Sequence, residues 1–182
     1  MHRPLLFLDV DGPLNPYAAQ PERRPDGYTT LRVPWNRGPS EEPRGLSSRL
    51  RPLRVWLNPD HGRALLRLGY ELCWATTWMD DANRWIGPVL GLPELPFVDF
   101  GDALFRERPD GVHWKTVPLV DHADGRPFAW VDDEQSPLDQ EYVSAHHRGP
   151  GLLHHVDPRI GLREDDFRTL SRFARSLKDP AP

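Results

Sequence analysis

The stretch Leu5-Leu6-Phe7-Leu8-Asp9-Val10-Asp11-Gly12-Pro13 begins as an unbroken apolar run and ends in two aspartates and a glycine-proline pair. Four consecutive apolar residues describe a strand covered on both faces, and the glycine-proline turn stops it. The same arrangement returns three times. Glu71-Leu72-Cys73-Trp74-Ala75 runs into Thr76-Thr77, Phe128-Ala129-Trp130-Val131 into Asp132-Asp133, and Leu152-Leu153-His154-His155-Val156 into Asp157-Pro158. Helical-looking stretches separate these strands: His61 to Leu68, Asp81 to Leu90, Lys115 to Val120, Pro137 to His147 and Arg163 to Leu177. The alternation predicts a three-layer, Rossmann-like α/β fold with a central, mainly parallel sheet. Sheets of this kind take ligands outside the carboxyl ends of their strands. Asp9, Asp11, Thr76, Thr77, Asp132 and Asp133 are therefore expected to converge.

Working outward, a proline- and arginine-rich insertion occupies roughly Asn15 to Pro59. Its β-like pieces, Tyr28 to Val33 and Leu53 to Leu57, predict a small hairpin flap with a tip around Arg37 to Ser48. A second irregular stretch, Pro93 to Val112, is expected to hold one short strand at Phe97 to Phe100. With 182 residues, 38% of them hydrophobic and 27% charged, the chain suits one domain spanning 1–182 with that flap inserted. The apolar run at Leu5 to Leu8 is far below the roughly 20 residues of a membrane span, and the N-terminus lacks a secretory layout, so a cytoplasmic protein without a membrane partner is expected. Cys73 is the only cysteine, which excludes an internal disulfide and a cysteine-rich zinc site. Any metal falls to oxygen or histidine, and His146-His147 and His154-His155 do not form a recognised ligand spacing.

The net charge of −4 is unevenly spread: Pro21 to Arg54 holds eight arginines against Glu22, Asp26, Glu41 and Glu42, which leaves −8 for the remainder. A basic segment beside an acidic body suits a polyanionic ligand, although arginine-rich loops are often only solvated surface. Arg44, Arg49, Arg51 and Arg54 are the candidates to reach a phosphate. Lysine is scarce, with only Lys115 and Lys178 in the whole chain, so a mid-chain lysine stands out.

Asp9 and Asp11 are two residues apart at a strand end, so alternation aims both the same way if the strand continues. Two close carboxylates repel unless a cation offsets them, and an all-oxygen set suits Mg²⁺. One aspartate can then attack phosphorus while the other passes a proton to the leaving oxygen and later takes one from water. Taken alone, the pair is equally compatible with a strand-terminating Asx turn. The adjacent Asp132-Asp133, after four largely apolar residues, raise the same question of repulsion.

Phe7-Leu8-Asp9-Val10-Asp11-Gly12-Pro13-Leu14-Asn15 resembles the first motif of the haloacid dehalogenase-like hydrolase superfamily. Leu72 to Thr77 resembles its second motif, a Ser or Thr ending a hydrophobic strand. Lys115, the lone lysine between the second and fourth motifs, matches its third, and Ala129-Trp130-Val131-Asp132-Asp133-Glu134 its fourth. The resemblance implies that Asp9 is the nucleophile and Asp11 the acid and base. It implies that Thr77, or Thr76 one residue earlier, gives a hydroxyl to the phosphoryl group, and that Lys115 stabilises negative charge. Mg²⁺ would be held by Asp9, the Asp11 carbonyl and Asp132, with Asp133 directly or through water. Amides following Asp9, including that of Gly12, would add donors, and Trp78 would border the substrate; Trp74 belongs to the core. Neither insertion is large enough for the superfamily's cap domains. The motifs, with Ala82-Asn83 and Trp114-Lys115-Thr116, are also similar to a group of short actinobacterial proteins resembling the phosphatase-like domain of multidomain RNA-repair proteins.

These readings predict a Mg²⁺-dependent phosphatase acting through an aspartyl-phosphate. Its substrate would be a phosphorylated small molecule, a nucleotide or a nucleic-acid end. Phosphotransfer to another acceptor uses the same residues, and a non-catalytic phosphate-binding module on this fold is the alternative from a different class. Dehalogenation fits poorly with Asp11 and the acidic fourth motif. Oligomeric state has no signature in the sequence.

Overall fold

The computed structural model describes residues 3–34 and 52–178. The expected flap tip and Arg44, Arg49 and Arg51 lie outside the described residues. Four strands, β1 (Leu5–Leu8), β4 (Glu71–Trp74), β5 (Phe128–Asp132) and β6 (Gly151–His155), form one parallel sheet in the order β4-β1-β5-β6. A two-stranded antiparallel hairpin, β2 (Thr29–Val33) with β3 (Leu53–Leu57), stands apart from the sheet. After β1 the chain moves to β4 on one side and returns to β5 on the other, so the crevice beyond β1 and β5 is a topological switch point.

Both sheet faces are covered, which is why the strands read as unbroken apolar runs. Leu6, Leu8, Leu72, Trp74, Ala129 and Val131 face a core shared with the hairpin and the helices α1 (Pro59–Arg67), α2 (Gly87–Leu90) and α5 (Glu164–Ser176). Leu5, Phe7, Cys73, Phe128 and Trp130 face the other core, under α3 (Thr116–Ala123) and α4 (Pro137–His146). Helix starts follow local chemistry. Asn58 caps α1 by accepting from the Asp60 N–H at 3.0 Å with Pro59 in the first turn, and Ser136 and Asp139 form a capping box on α4 ahead of Pro137. Gly62 lets α1 approach α2, since a Cβ there would lie 1.8 Å from the Leu90 carbonyl oxygen.

Two elements differ from the sequence reading. The helix expected over Asp81 to Leu90 is a π-helical turn, Ala82–Ile86, followed by α2, with Gly87 N–H reaching back to the Ala82 carbonyl. Pro88 has no N–H to continue an α ladder, and the wider turn absorbs the mismatch. Phe97 to Phe100 contributes only one bridge, Trp74 with Phe97, held by Trp74 N–H to Pro96 O (2.8 Å) and Val98 N–H to Trp74 O (2.9 Å). Pro96 lacks the donor that would extend it, and the chain turns at Gly101–Ala103. No helix among the described residues is long and apolar enough to cross a membrane.

His61 of α1 packs its ring edgewise on Tyr28 and against Phe167, and its buried Nδ1 has no hydrogen-bond partner. Burial lowers its pKa to about 4, with Asp60 and Asp166 opposing the shift. The folded-state value lies below the unfolded one, so this contribution to stability is complete above about pH 6.5 and is lost as pH falls toward 4. Urea unfolding at pH 7.5 and 4.5 should show wild type losing about 2 to 3 kcal/mol more than His61→Leu between those pH values.

Candidate functional site

Leu8 pairs with Val131 in the β1–β5 ladder, so Asp9 and Asp132 sit side by side one step beyond that row. Pleat alternation sends both toward the α3–α4 side, the face shared with Phe7 and Trp130. Lys115 immediately precedes α3 and enters from that layer. Its Nζ donates to Asp9 Oδ2 at 2.6 Å and to Asp132 Oδ2 at 2.8 Å, and the lysine is 1% exposed. Each remaining oxygen is tied to backbone: Asp9 Oδ1 accepts from Val10 N–H at 2.7 Å, and Asp132 Oδ1 from Glu134 N–H at 2.9 Å. The indole N–H of Trp130 also donates to Asp132 Oδ2, at 3.0 Å.

The rest of the predicted set surrounds this centre. The side chain of Asp11 accepts from Asn15 Nδ2 at 2.7 Å and from the Trp78 indole at 2.9 Å, which fixes its plane. Trp78 is 3% exposed and reaches the site through that N–H. The buried Thr76 hydroxyl accepts from Trp78 N–H at 3.4 Å and lies near enough to Asp9 to lower its pKa slightly, whereas Thr77, the next residue, is half-buried. Gly12, at φ +88°, donates its N–H to Asn15 O at 2.9 Å. A Cβ on Gly12 would lie 2.4 Å from the Asp133 carboxyl carbon, so glycine there lets the turn after β1 and the Asp133 loop meet. Asp133 accepts from the Tyr17 hydroxyl at 3.0 Å.

Charge is unbalanced in this pocket. Ligand oxygens of Asp9, Asp132 and Asp133 lie within 4.8 Å of one another, and this is the one such cluster among the described residues. Burial raises the Asp9 carboxyl well above its usual range, with Lys115 opposing and Asp132 adding to the shift. Burial also raises Asp133. For Lys115, burial works to lower the pKa, but the two carboxylates outweigh it and raise the value, so the ammonium stays charged. Three carboxylates facing one ammonium leave an excess of negative charge that a divalent cation on carboxylate oxygens would neutralise. Oxygens on opposite sides of a Mg²⁺ lie about 4 Å apart, close to the span already present.

No protein-family profile, curated protein or solved structure matches the chain. The chemistry of the site therefore rests on its own geometry.

Several contributors escaped the sequence reading. Tyr17 carries no local signal, being one aromatic in a loop. Asn15 uses both ends of its amide, donating to Asp11 and accepting from the buried Trp56 N–H at 3.0 Å. Trp130 was open to inference, because residues two apart on a strand share a face with Asp132. His113, against the ring of Trp114, accepts from Lys115 N–H at 3.2 Å and pairs with Glu134 at 3.4 Å. The histidine pairs do not assemble: His154 bonds to Asp166, His147 to the Arg126 carbonyl, and His146 stacks on Tyr142.

Removing Lys115 strands two buried carboxylates. Lys115→Met should cost about 3 to 5 kcal/mol at pH 8, measured by urea unfolding. The penalty should grow as pH rises from 7 to 9, because with Lys115 present Asp9 gives up its proton near its raised pKa of about 8, whereas without the ammonium it keeps it.

Proposed function

We propose that this chain is a metal-dependent phosphomonoesterase of the haloacid dehalogenase-like type, using Asp9 as the nucleophile. The observation that carries the reading is the placement of Lys115 Nζ within 2.8 Å of carboxylates from the ends of two adjacent parallel strands, beside Asp133. A structural ion pair has no need of a third, poorly compensated carboxylate, or of a glycine that brings it close. Asp9, Asp132 and Asp133, with the Asp11 carbonyl, would hold Mg²⁺. When bound, that ion supplies charge neutralisation for an incoming phosphate.

The protein's own residues do the remaining work. An Asp9 carboxylate oxygen forms a bond to phosphorus as the bond from phosphorus to the leaving oxygen breaks, giving an aspartyl-phosphate. Asp11, oriented by Asn15 and Trp78, gives its proton to the leaving oxygen. Lys115 and a threonine hydroxyl, Thr76 or Thr77, stabilise the equatorial oxygens. In the second half, water gives a proton to Asp11 and attacks phosphorus, releasing phosphate and restoring the Asp9 carboxylate. Transfer to an acceptor alcohol instead of water follows the same path.

Phosphate release from a panel of esters, nucleotides and sugar phosphates is expected with Mg²⁺, to vanish with EDTA, and to fall at least about a thousandfold in Asp9→Asn. Retention of phosphate binding without release from any substrate would favour a binding module in place of an enzyme.

A second observation favours a polyanionic substrate. On the outward face of the hairpin, Arg32 sits directly opposite Arg54, and Arg24 bonds to Thr30 on the same face. Arg54 stacks over the Trp56 ring at 3.8 Å. Like charges directly opposite across a strand pair are unfavourable, and an anion over them would relieve the repulsion. The hairpin is anchored to the site through Trp56 and Asn15. We therefore favour a phosphate-ended nucleic acid as the larger substrate class. Arg32→Gln should weaken oligonucleotide turnover, with its salt slope reduced by about one, and leave p-nitrophenyl phosphate hydrolysis unchanged. Equal loss on both substrates would sink this second reading.

A further inference from the structure

We propose that Asp139, on α4, is the positioning residue for Lys115. Its carboxylate is 0% exposed, and its two oxygens serve different parts of the fold. Oδ2 accepts from Ser136 N–H and from the Ser136 hydroxyl, both at 2.8 Å, which is the capping of its own helix. Oδ1 turns the other way. It accepts from His113 N–H at 2.8 Å and from the Thr116 hydroxyl at 2.5 Å, the residues that bracket Lys115.

Of these bonds a capping box needs only the one from the Ser136 N–H to Oδ2. The pair on Oδ1 clamps the turn from which the lysine leaves. Lys115 is itself the N-cap residue of α3 but offers no side-chain cap, since an ammonium has no acceptor, and its stem is directed to Asp9 and Asp132. The start of α3 is instead held from α4, by Asp139 through Thr116. A lysine has four rotatable stem bonds and a compact charge. Its ammonium can stay between two carboxylates only if its backbone is fixed, and a misplacement of about 1 Å in such a site can cost up to a hundredfold in rate. Asp139 also ties this turn to Ser136, a few residues beyond Asp132 and Asp133. The lysine and the acidic pair are thus located against one buried carboxylate.

The two arms can be cut separately, each by losing one hydroxyl: Thr116→Val on the lysine side and Ser136→Ala on the cap side. The first readout does not depend on activity. The chain has only two lysines, Lys115 and Lys178, so a protein with ¹⁵N-labelled lysine side chains gives one ammonium signal from the buried site and one from an exposed position. Thr116→Val should move the Lys115 signal toward that of Lys178 and speed its hydrogen exchange. Ser136→Ala should leave the signal in place while lowering the melting temperature, and Thr116→Ser should restore it. If Thr116→Val does not fold, Thr116→Cys, a weaker donor of similar size, makes the same cut.

The kinetic readout rests on the proposed phosphatase reading. Thr116→Val should lower kcat about tenfold with KM for a small ester unchanged, and Ser136→Ala should change kcat less than about twofold. A Lys115 signal that moves equally in both variants, or in neither, overturns the proposal. A wild-type protein that releases no phosphate, yet shows the expected lysine signals, overturns the enzymatic reading and leaves the role of Asp139 standing.

Discussion

Taking one ammonium and two carboxylates out of water carries a penalty of several kcal/mol for each ion, and their mutual attraction repays it only when the remaining hydrogen-bonding capacity is filled. That constraint at Lys115, Asp9 and Asp132 organises much of the structure around it. The β1–β5 register sets the two carboxylates on one face, and Val10 N–H, Glu134 N–H and the Trp130 indole complete their bonds. The lysine must approach over the face covered by α3, so the turn before that helix is pinned from α4 rather than capped locally. Once these demands are met the pocket still holds surplus negative charge, because Gly12 allows Asp133 to press in. A purely structural ion pair would be more stable without that surplus, and a cation-assisted anion site requires it.

The sheet could be read directly from the chain, since four strands buried on both faces leave unbroken apolar runs. The acidic residues were legible because chain reversal at a strand end exposes polar groups at fixed places. The boundary of β4 was not set so sharply. It ends at Trp74, and two threonines follow within three residues; Thr76 is buried and Thr77 half-buried, a distinction periodicity alone cannot make. The Asp81 to Leu90 helix and the Phe97 to Phe100 strand were altered by Pro88 and Pro96, whose missing donors change ladders that the apolar pattern predicts correctly in outline. Asp139 and Tyr17 had no readable signal, and Asn15 stood in the first motif with no role attached, because each acts on partners supplied by another element or by a neighbouring turn. A buried aspartate at a helix start reads as a cap, which Asp139 also is.

Asn15 shows why the hairpin belongs to the site rather than merely covering it. Its amide oxygen accepts from the Trp56 N–H, a buried group on β3, and its amide nitrogen donates to Asp11. Only a side chain with both an acceptor and a donor can meet these two demands. An aspartate would set oxygen against oxygen at Asp11, and a leucine would leave a buried N–H unpaired. The plane of Asp11 is therefore coupled to the seating of β3, and β3 is the strand on which Arg54 stacks over Trp56. An anion settling on the outward face of the hairpin would act on the same strand that orients the Asp11 carboxyl. In this arrangement the flap and the turn after Asp9 share one asparagine, and a change in the seating of either is felt by the other.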